Sequence, residues 1–317
     1  MLAPVRNFEK PNVSYELRRE KESSPSEIPY IDSPALIGQA RCVKKRIVSR
    51  GRRGSELGIC LLPFLFCVPL PLTGAPPPGA VSAFEAYIAN VEGRIDQQHL
   101  SPSAFSAPAA SDPESAKTRV RQGQVIIERL TPVAGAELPG ALLHHWRGTA
   151  FVQGATAADF GQLLRGFDSY PKYFSPQVVQ AKVLSHDGDH FVASMRVRQR
   201  HFLTVVMDAT YDVTFGWLDA ERGYSISRST RIAEIDSPGT IAERSLSDGE
   251  EHGFLWRLTT YWTWEERDGG LYLQIEAVSL SRSVPRGLGW LVAPYAESIP
   301  RESLDFTLRS VCSALRK

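Results

Sequence analysis

The chain has 317 residues, 43% hydrophobic and 22% charged, with 36 basic against 35 acidic side chains and a formal net charge of +1. That balance excludes a global electrostatic footprint for nucleic acid or an acidic membrane surface, since the basic residues of the C-terminal half alternate with acids rather than forming a stripe. Of the cysteines Cys42, Cys60, Cys67 and Cys312, only Cys312 lies where folding is expected, so neither a disulfide nor a thiolate metal site is available there.

Residues 1–56 mix Pro, Ser and charge without periodicity, the pattern of a disordered segment or of sequence upstream of the natural start. Residues 57–83 read as a signal-peptide region: the basic run KKRIVSRGRR precedes LGICLLPFLFCVPLPL, and small residues follow. A spanning helix needs about 20 apolar residues, and Pro63, Pro69 and Pro71 interrupt this one. Export is therefore expected, with no stable membrane span in the mature chain. Two cleavage positions stay open, after Thr73-Gly74-Ala75 or after Val81-Ser82-Ala83, and translation from near Val48 gives an ordinary basic leader. Neither Cys60 nor Cys67 follows the small residue that lipidation requires.

Residues 84–140 form an N-terminal segment. Phe84, Ile88, Val91 and Ile95 recur at helical spacing with Glu85, Glu92, Arg94 and Asp96 turned away, which predicts an amphipathic helix. The run SPSAFSAPAASDP reads as a linker, RQGQVIIERL as a possible strand and TPVAGAELPGA as a loop. A lid or a spacer is the expected role, with no chemistry of its own.

The order sharpens from residue 141 onward. HWRGTAFV reads as a strand, Thr156 opens a short helix, and the break at Asp168-Ser169-Tyr170-Pro171 leads to a second helical turn. Residues 178–186 and 190–200 pair across Asp187-Gly188-Asp189, a strong hairpin signal. Residues 203–215 alternate most cleanly, and strands at 224–235, 252–266 and 271–282 follow. The chain ends in a helix from near Leu288, interrupted at Pro294 and restarted at Pro300, with Leu304, Leu308, Val311 and Leu315 on one stripe.

The stretch 252–266 is the centre of this half. Phe254, Trp256, Leu258, Thr260, Trp262 and Trp264 share one alternation face. Its three tryptophans can each bury roughly 150–250 Å². Such a face needs either a covering helix or a ligand.

The order of elements, one strand, two short helices, about six antiparallel strands and a terminal helix, is the helix-grip arrangement. Residues from about 142 to 315 resemble the START-like superfamily, also called SRPBCC, which holds polyketide cyclases, lipid-transfer domains and plant pathogenesis-related carriers. More closely, they resemble exported bacterial members without a settled reaction. The closer resemblance is carried by Ser227-Arg228-Ser229-Thr230-Arg231-Ile232-Ala233-Glu234, His252-Gly253-Phe254-Leu255-Trp256-Arg257-Leu258, Glu276-Ala277-Val278-Ser279-Leu280-Ser281-Arg282, Gly287-Leu288-Gly289-Trp290 and Pro300-Arg301-Glu302-Ser303-Leu304. The resemblance implies an α+β helix-grip fold over 141–317, with a curved antiparallel sheet of about six or seven strands wrapped around a long C-terminal helix. It implies an apolar cavity between them for a hydrophobic small molecule or lipid. It fixes no reaction, since carriers and enzymes share the scaffold.

Candidate residues follow from alternation. Met207, Tyr211, Trp256, Trp262 and Tyr295 are expected to line the cavity, with Tyr170 and Tyr173 at its mouth. Arg228 lies on the more apolar face of its strand, where an unpaired guanidinium is costly. Glu276 is its expected partner, either as a structural ion pair or as a polar anchor for a ligand. His144 and His145 point to opposite faces and make no metal pair, and His186 and His190 beside a polar turn read as solvated. No nucleophile elbow, phosphate loop, metal set or cofactor motif is present. Three readings stand: a non-catalytic carrier, a cyclase-like enzyme using Glu276 and Tyr211 for proton transfer, and a solid-core envelope interaction module.

Overall fold

A computed structural model describes residues 74–101, 113–130, 137–200, 204–283 and 289–316, apart from the side chains of 113, 137 and 289–297. The upstream segment and most of the signal region lie outside them, as do Leu203 and the side chain of Tyr295. The described residues belong to one compact unit, Cys67–Lys317.

Helix α1, Pro78–Leu100, buries Ala80, Phe84, Ile88, Val91 and Ile95. Their spacing of three and four makes one apolar stripe. Helix α2, Pro113–Arg121, is short and escapes sequence reading; its Ala116 and Val120 pack on Phe151 and Tyr272. Strands β1 (Ile126–Arg129), β2 (Glu137–Leu138) and β3 (Ala141–Gln153) follow. Helix α3, Ala157–Arg165, starts at a reciprocal cap in which the Thr156 hydroxyl accepts from the Asp159 amide and the Asp159 carboxylate accepts from the Thr156 amide. A 3-10 turn leads into the one-turn α4, Tyr170–Tyr173.

The rest of the sheet is β4 (Val178–Asp187), β5 (His190–Arg200), β6 (Thr204–Trp217), β7 (Arg222–Asp236), β8 (Arg244–Ser245), β9 (Arg257–Arg267) and β10 (Gly270–Arg282). All the pairings are antiparallel, in the order β1-β3-β10-β9-β7-β6-β5-β4, with β2 beside β3 and β8 beside β7. The sheet is thus larger than the six or seven strands expected, because β1 extends it beyond β3 and short ladders add β2 and β8. Register shifts interrupt β4 against β5 at Val178/Gln180 and Val183/Ser185, and β6 against β7 at Thr210/Tyr211. Such irregularities bend strands. Helix α5, Gly289–Leu315, includes both Pro294 and Pro300.

Helices cover both faces of the sheet. On the inner face, Leu304, Leu308 and Val311 of α5 and Phe160, Leu163 and Leu164 of α3 pack on Trp262, Trp264, Leu271, Leu273 and Ile275. On the outer face, α1 packs on Leu143, Tyr261, Val278 and Leu280. Gly148 sets where α5 lies, since a Cβ there would stand 2.3 Å from Leu308 Cδ1. The missing side chain lets α5 press onto β3.

The tryptophan strand is shorter than its alternation suggests. Glu234 accepts hydrogen bonds from the amides of His252 (2.9 Å), Gly253 (2.9 Å) and Phe254 (3.0 Å). These amides are then unavailable to a ladder, and Gly253 turns the backbone at φ +78°. The strand therefore begins at Arg257, and Trp256 swings to the outer face.

Candidate functional site

The inner face has two regions. Toward α3 it is filled: Phe160 meets Trp262 and Trp264 edge-on at centroid distances of 5.1 and 5.3 Å, and Trp217 meets Trp264 at 5.5 Å. Trp262 and Trp264 are accordingly buried. The space expected beside the tryptophans is occupied here by α3.

Farther along the same face, residues in the middle of the sheet are only half-buried: Trp146 on β3, Ala277 on β10, Leu258 and Thr260 on β9, and Ser227 and Ser229 on β7. Register makes them neighbours, with Trp146 opposite Ala277, Ala277 opposite Thr260 and Thr260 opposite Ser227. These strands have a partner on either side, and their outer face is packed under α1. The partial exposure of these side chains shows that α3 and α5 leave this patch of the inner face uncovered. Tyr211 of β6 is buried near this row, and burial pushes its hydroxyl up to about 12. Met207 is buried on the same strand. Gln199 at the end of β5 donates to Ser303 of α5 at 2.8 Å and ties the two elements together.

A second depression of about 580 Å³ runs between α4 and α5, lined by Tyr173, Phe306, Arg301, Glu302, Asp305 and Arg309 among others. Tyr173 and Phe306 also pack on the core behind them. Tyr170 plays a different part: its hydroxyl donates to the Leu164 carbonyl at 2.6 Å, its ring packs on Phe167 and Phe174, and burial raises its pKa. It fastens α4 to α3.

Arg228, Trp256 and Glu276 are not on the inner face. All three lie on the outer face under α1, and Arg228 and Glu276 do not form the pair expected of them. Arg228 pairs with Glu92 of α1, which also accepts from the Tyr261 hydroxyl at 3.0 Å. The indole of Trp256 donates to the Gly74 carbonyl at 2.7 Å. Glu276 is 2% exposed. It accepts from Arg147 Nε and Nη2 at 2.8 and 2.7 Å, from His145 Nε2 at 2.9 Å, and from Arg94 of α1. Tyr87 of α1 donates its hydroxyl to His145 Nδ1 at 2.9 Å.

The electrostatics of this cluster are self-consistent. Burial pushes the Glu276 carboxyl up, but the hydrogen bond from His145 and the charges of Arg147 and Arg94 outweigh it and hold the pKa at about 2. Burial lowers the pKa of His145 despite the adjoining carboxylate. The imidazole is then neutral near pH 7, donating at Nε2 and accepting at Nδ1, the tautomer its two partners require. Every residue of the cluster is held by the others, and it acts as a clasp for α1.

Sequence reading placed Glu92 and Arg94 on the solvent side of α1 and missed the clasp. The available signal was complementarity: Arg147, Arg228 and Glu276 need opposite charges, which α1 carries at its flanks.

No family model matches the chain, and neither does any curated protein. Among solved structures it resembles a STAR-related lipid transfer protein fragment from Xanthomonas axonopodis, with 16% identity, 60% of this chain and 99% of that one covered, and a TM-score of 0.39. It also resembles the Zhui aromatase/cyclase from Streptomyces sp. R1128 (16% identity, 54% and 92% covered, TM-score 0.38). A START superfamily protein from Mycobacterium smegmatis is similar as well (10% identity, 54% and 96% covered, TM-score 0.36). At such scores the likeness describes what the chain looks like and says nothing of what it binds.

Proposed function

We propose that the uncovered patch of the inner face forms a cleft under α5 that binds a hydrophobic or amphipathic small molecule without chemical turnover. One observation carries this reading: Trp146, Leu258, Thr260, Ser227 and Ser229 keep solvent exposure in the middle of a sheet whose outer face is packed. A concave site with mostly apolar walls and a few hydrogen-bonding groups is the usual form of a small-molecule pocket. The proton-transfer alternative loses its acid, because Glu276 stands behind the sheet and is ionised at any ordinary pH. Mass spectrometry of an organic extract from folded protein, with displacement of an environment-sensitive dye, tests the reading. A bound lipid-like molecule or a saturable displacement supports it; a clean extract and no displacement would overturn it.

We also propose export through the apolar segment at 57–72, on the strength of its basic flank and prolines. Of the two cleavage positions, the one after Ala75 leaves α1 whole, whereas the one after Ala83 removes Ala80 from its buried stripe. Sequencing the N-terminus of secreted protein distinguishes them, and retention of an uncut chain in the cytoplasm would refute export.

A further inference from the structure

We infer that the exported chain keeps its apolar segment 57–72, which tethers the domain to a lipid bilayer, an inference that rests on export through that segment. Sequence reading expects a leader that is removed. The packing of Gly74 argues for one that stays. Gly74 is buried against the turn at 247–251. A Cβ on it would stand 2.5 Å from the Glu251 carbonyl oxygen, 2.8 Å from the Glu251 amide nitrogen and closer still to the Asp248 carbonyl oxygen. All three are backbone atoms, so only glycine enters this socket. The Gly74 carbonyl also accepts from the indole of Trp256 at 2.7 Å, and Trp256 is 4% exposed. The walls are braced. The Glu250 carboxylate accepts two bonds from Arg244, each 2.9 Å, and one from the Ser247 hydroxyl at 2.8 Å, while Glu234 holds the amides of residues 252–254. From the socket Pro76, Pro77 and Pro78, with φ set by their rings, lead directly into α1.

A cut after Ala75 or after Ala83 removes Gly74 and leaves the buried Trp256 donor without its acceptor, a costly state. The bond after Ala75 is in addition a tertiary amide to Pro76, and the cut after Ala83 takes Ala80 from the α1 stripe. Between the apolar run and Gly74 stands only Thr73, with Pro71 two places before it, so no pair of small residues offers a cut upstream. A retained run without a charged residue is an apolar patch on an exported domain, and lipid chains cover it. Its basic flank stays on the cytoplasmic side. The run is a few residues short for a comfortable span, a mismatch that local thinning of the bilayer accommodates. The loop that forms the socket also keeps Phe254 45% exposed, with its amide fixed to Glu234 at 3.0 Å. An apolar ring thus stands out three residues beyond the socket wall at Glu251.

The test uses the full chain expressed in a bacterium with its leader intact. Cell fractionation, protease treatment of spheroplasts and the intact mass of the recovered protein are read together. The expected result is a protease-accessible protein in the membrane fraction that resists alkaline carbonate, dissolves in detergent and has a mass that includes residues 57–72. A soluble exported protein beginning at Pro76 or Phe84 would overturn retention and leave export standing. An exported chain that is uncut but soluble would overturn the tether, and an uncut chain confined to the cytoplasm would overturn export and tether together. Gly74→Val in the detergent-solubilised protein should lower the unfolding midpoint by about 2–10 °C, the effect of overpacking a rigid site in a domain of this size. An unchanged midpoint would mean that the socket does not hold Gly74, and would remove the ground for keeping the leader.

Discussion

Glu276 shows how one buried carboxylate can organise a region while taking no part in binding. Its partners come from α1 and β3, so its removal takes away the carboxylate that Arg94, His145 and buried Arg147 share. Glu276→Gln should cost about 3–5 kcal/mol in denaturant unfolding, the usual penalty for breaking a buried pair on one side. A double replacement of Glu276 and Arg147 by methionine should cost less than the single change. The pH dependence has a definite sign. A carboxyl held at about 2 in the fold and near its ordinary value of about 4.3 when unfolded contributes stability above that value and loses it as pH falls toward 2. The effect is on the order of 3 kcal/mol. His145 acts in the same sense at higher pH: its folded pKa is lowered, so acidification below about 6.5 favours the unfolded chain. Equilibrium unfolding between pH 7 and pH 3 should show both losses, and Glu276→Gln should remove the lower one. A midpoint independent of pH in that range would refute the ionised, clasped arrangement.

At the scale of elements, the contact between α5 and β3 decides how much of the inner face stays open. Leu308 is fully buried over Gly148, with Ile127 Cδ1 also 3.0 Å from the same hypothetical Cβ. The leucine has nowhere to retreat, so Gly148→Val should push the helix off the strand and destabilise the fold by about 1–3 kcal/mol, as overpacking does. Thermal unfolding measures this, and a wild-type melting point would mean that α5 does not press on the strand as described. Helix α1 has a comparable standing on the other face. Its apolar stripe was legible from spacing alone, but its docking was not, since a stripe says that something is covered without saying what.

For the molecule as a whole, strand alternation was the most readable feature. The residues of β6 fall on the faces their period of two assigns, and the hairpin at Asp187-Gly188-Asp189 joins β4 to β5 where its turn chemistry predicts. Alternation groups residues by face; it does not say which helix each face meets. When only a C-terminal helix is available to cover a sheet, every apolar face is read as the cavity side. The burial of both faces therefore sent Arg228 and Glu276 to the wrong side of the sheet in sequence reading. Trp256 was misplaced for a local reason, since the amides held by Glu234 end the strand before it. The uncovered inner-face patch was the least legible feature, because it depends on where the helices stop short of Ala277, Ser227 and Ser229.

The outermost strand has a consequence for solution behaviour. The ladder of β4 slips twice, at Val178/Gln180 and Val183/Ser185, and Lys182 stands exposed between the slips. An in-step row of free amides is what recruits another molecule edge to edge, and a kinked, charged border denies that template. Concentrated protein incubated under native conditions should stay free of thioflavin-positive fibrils, despite the length of its sheet.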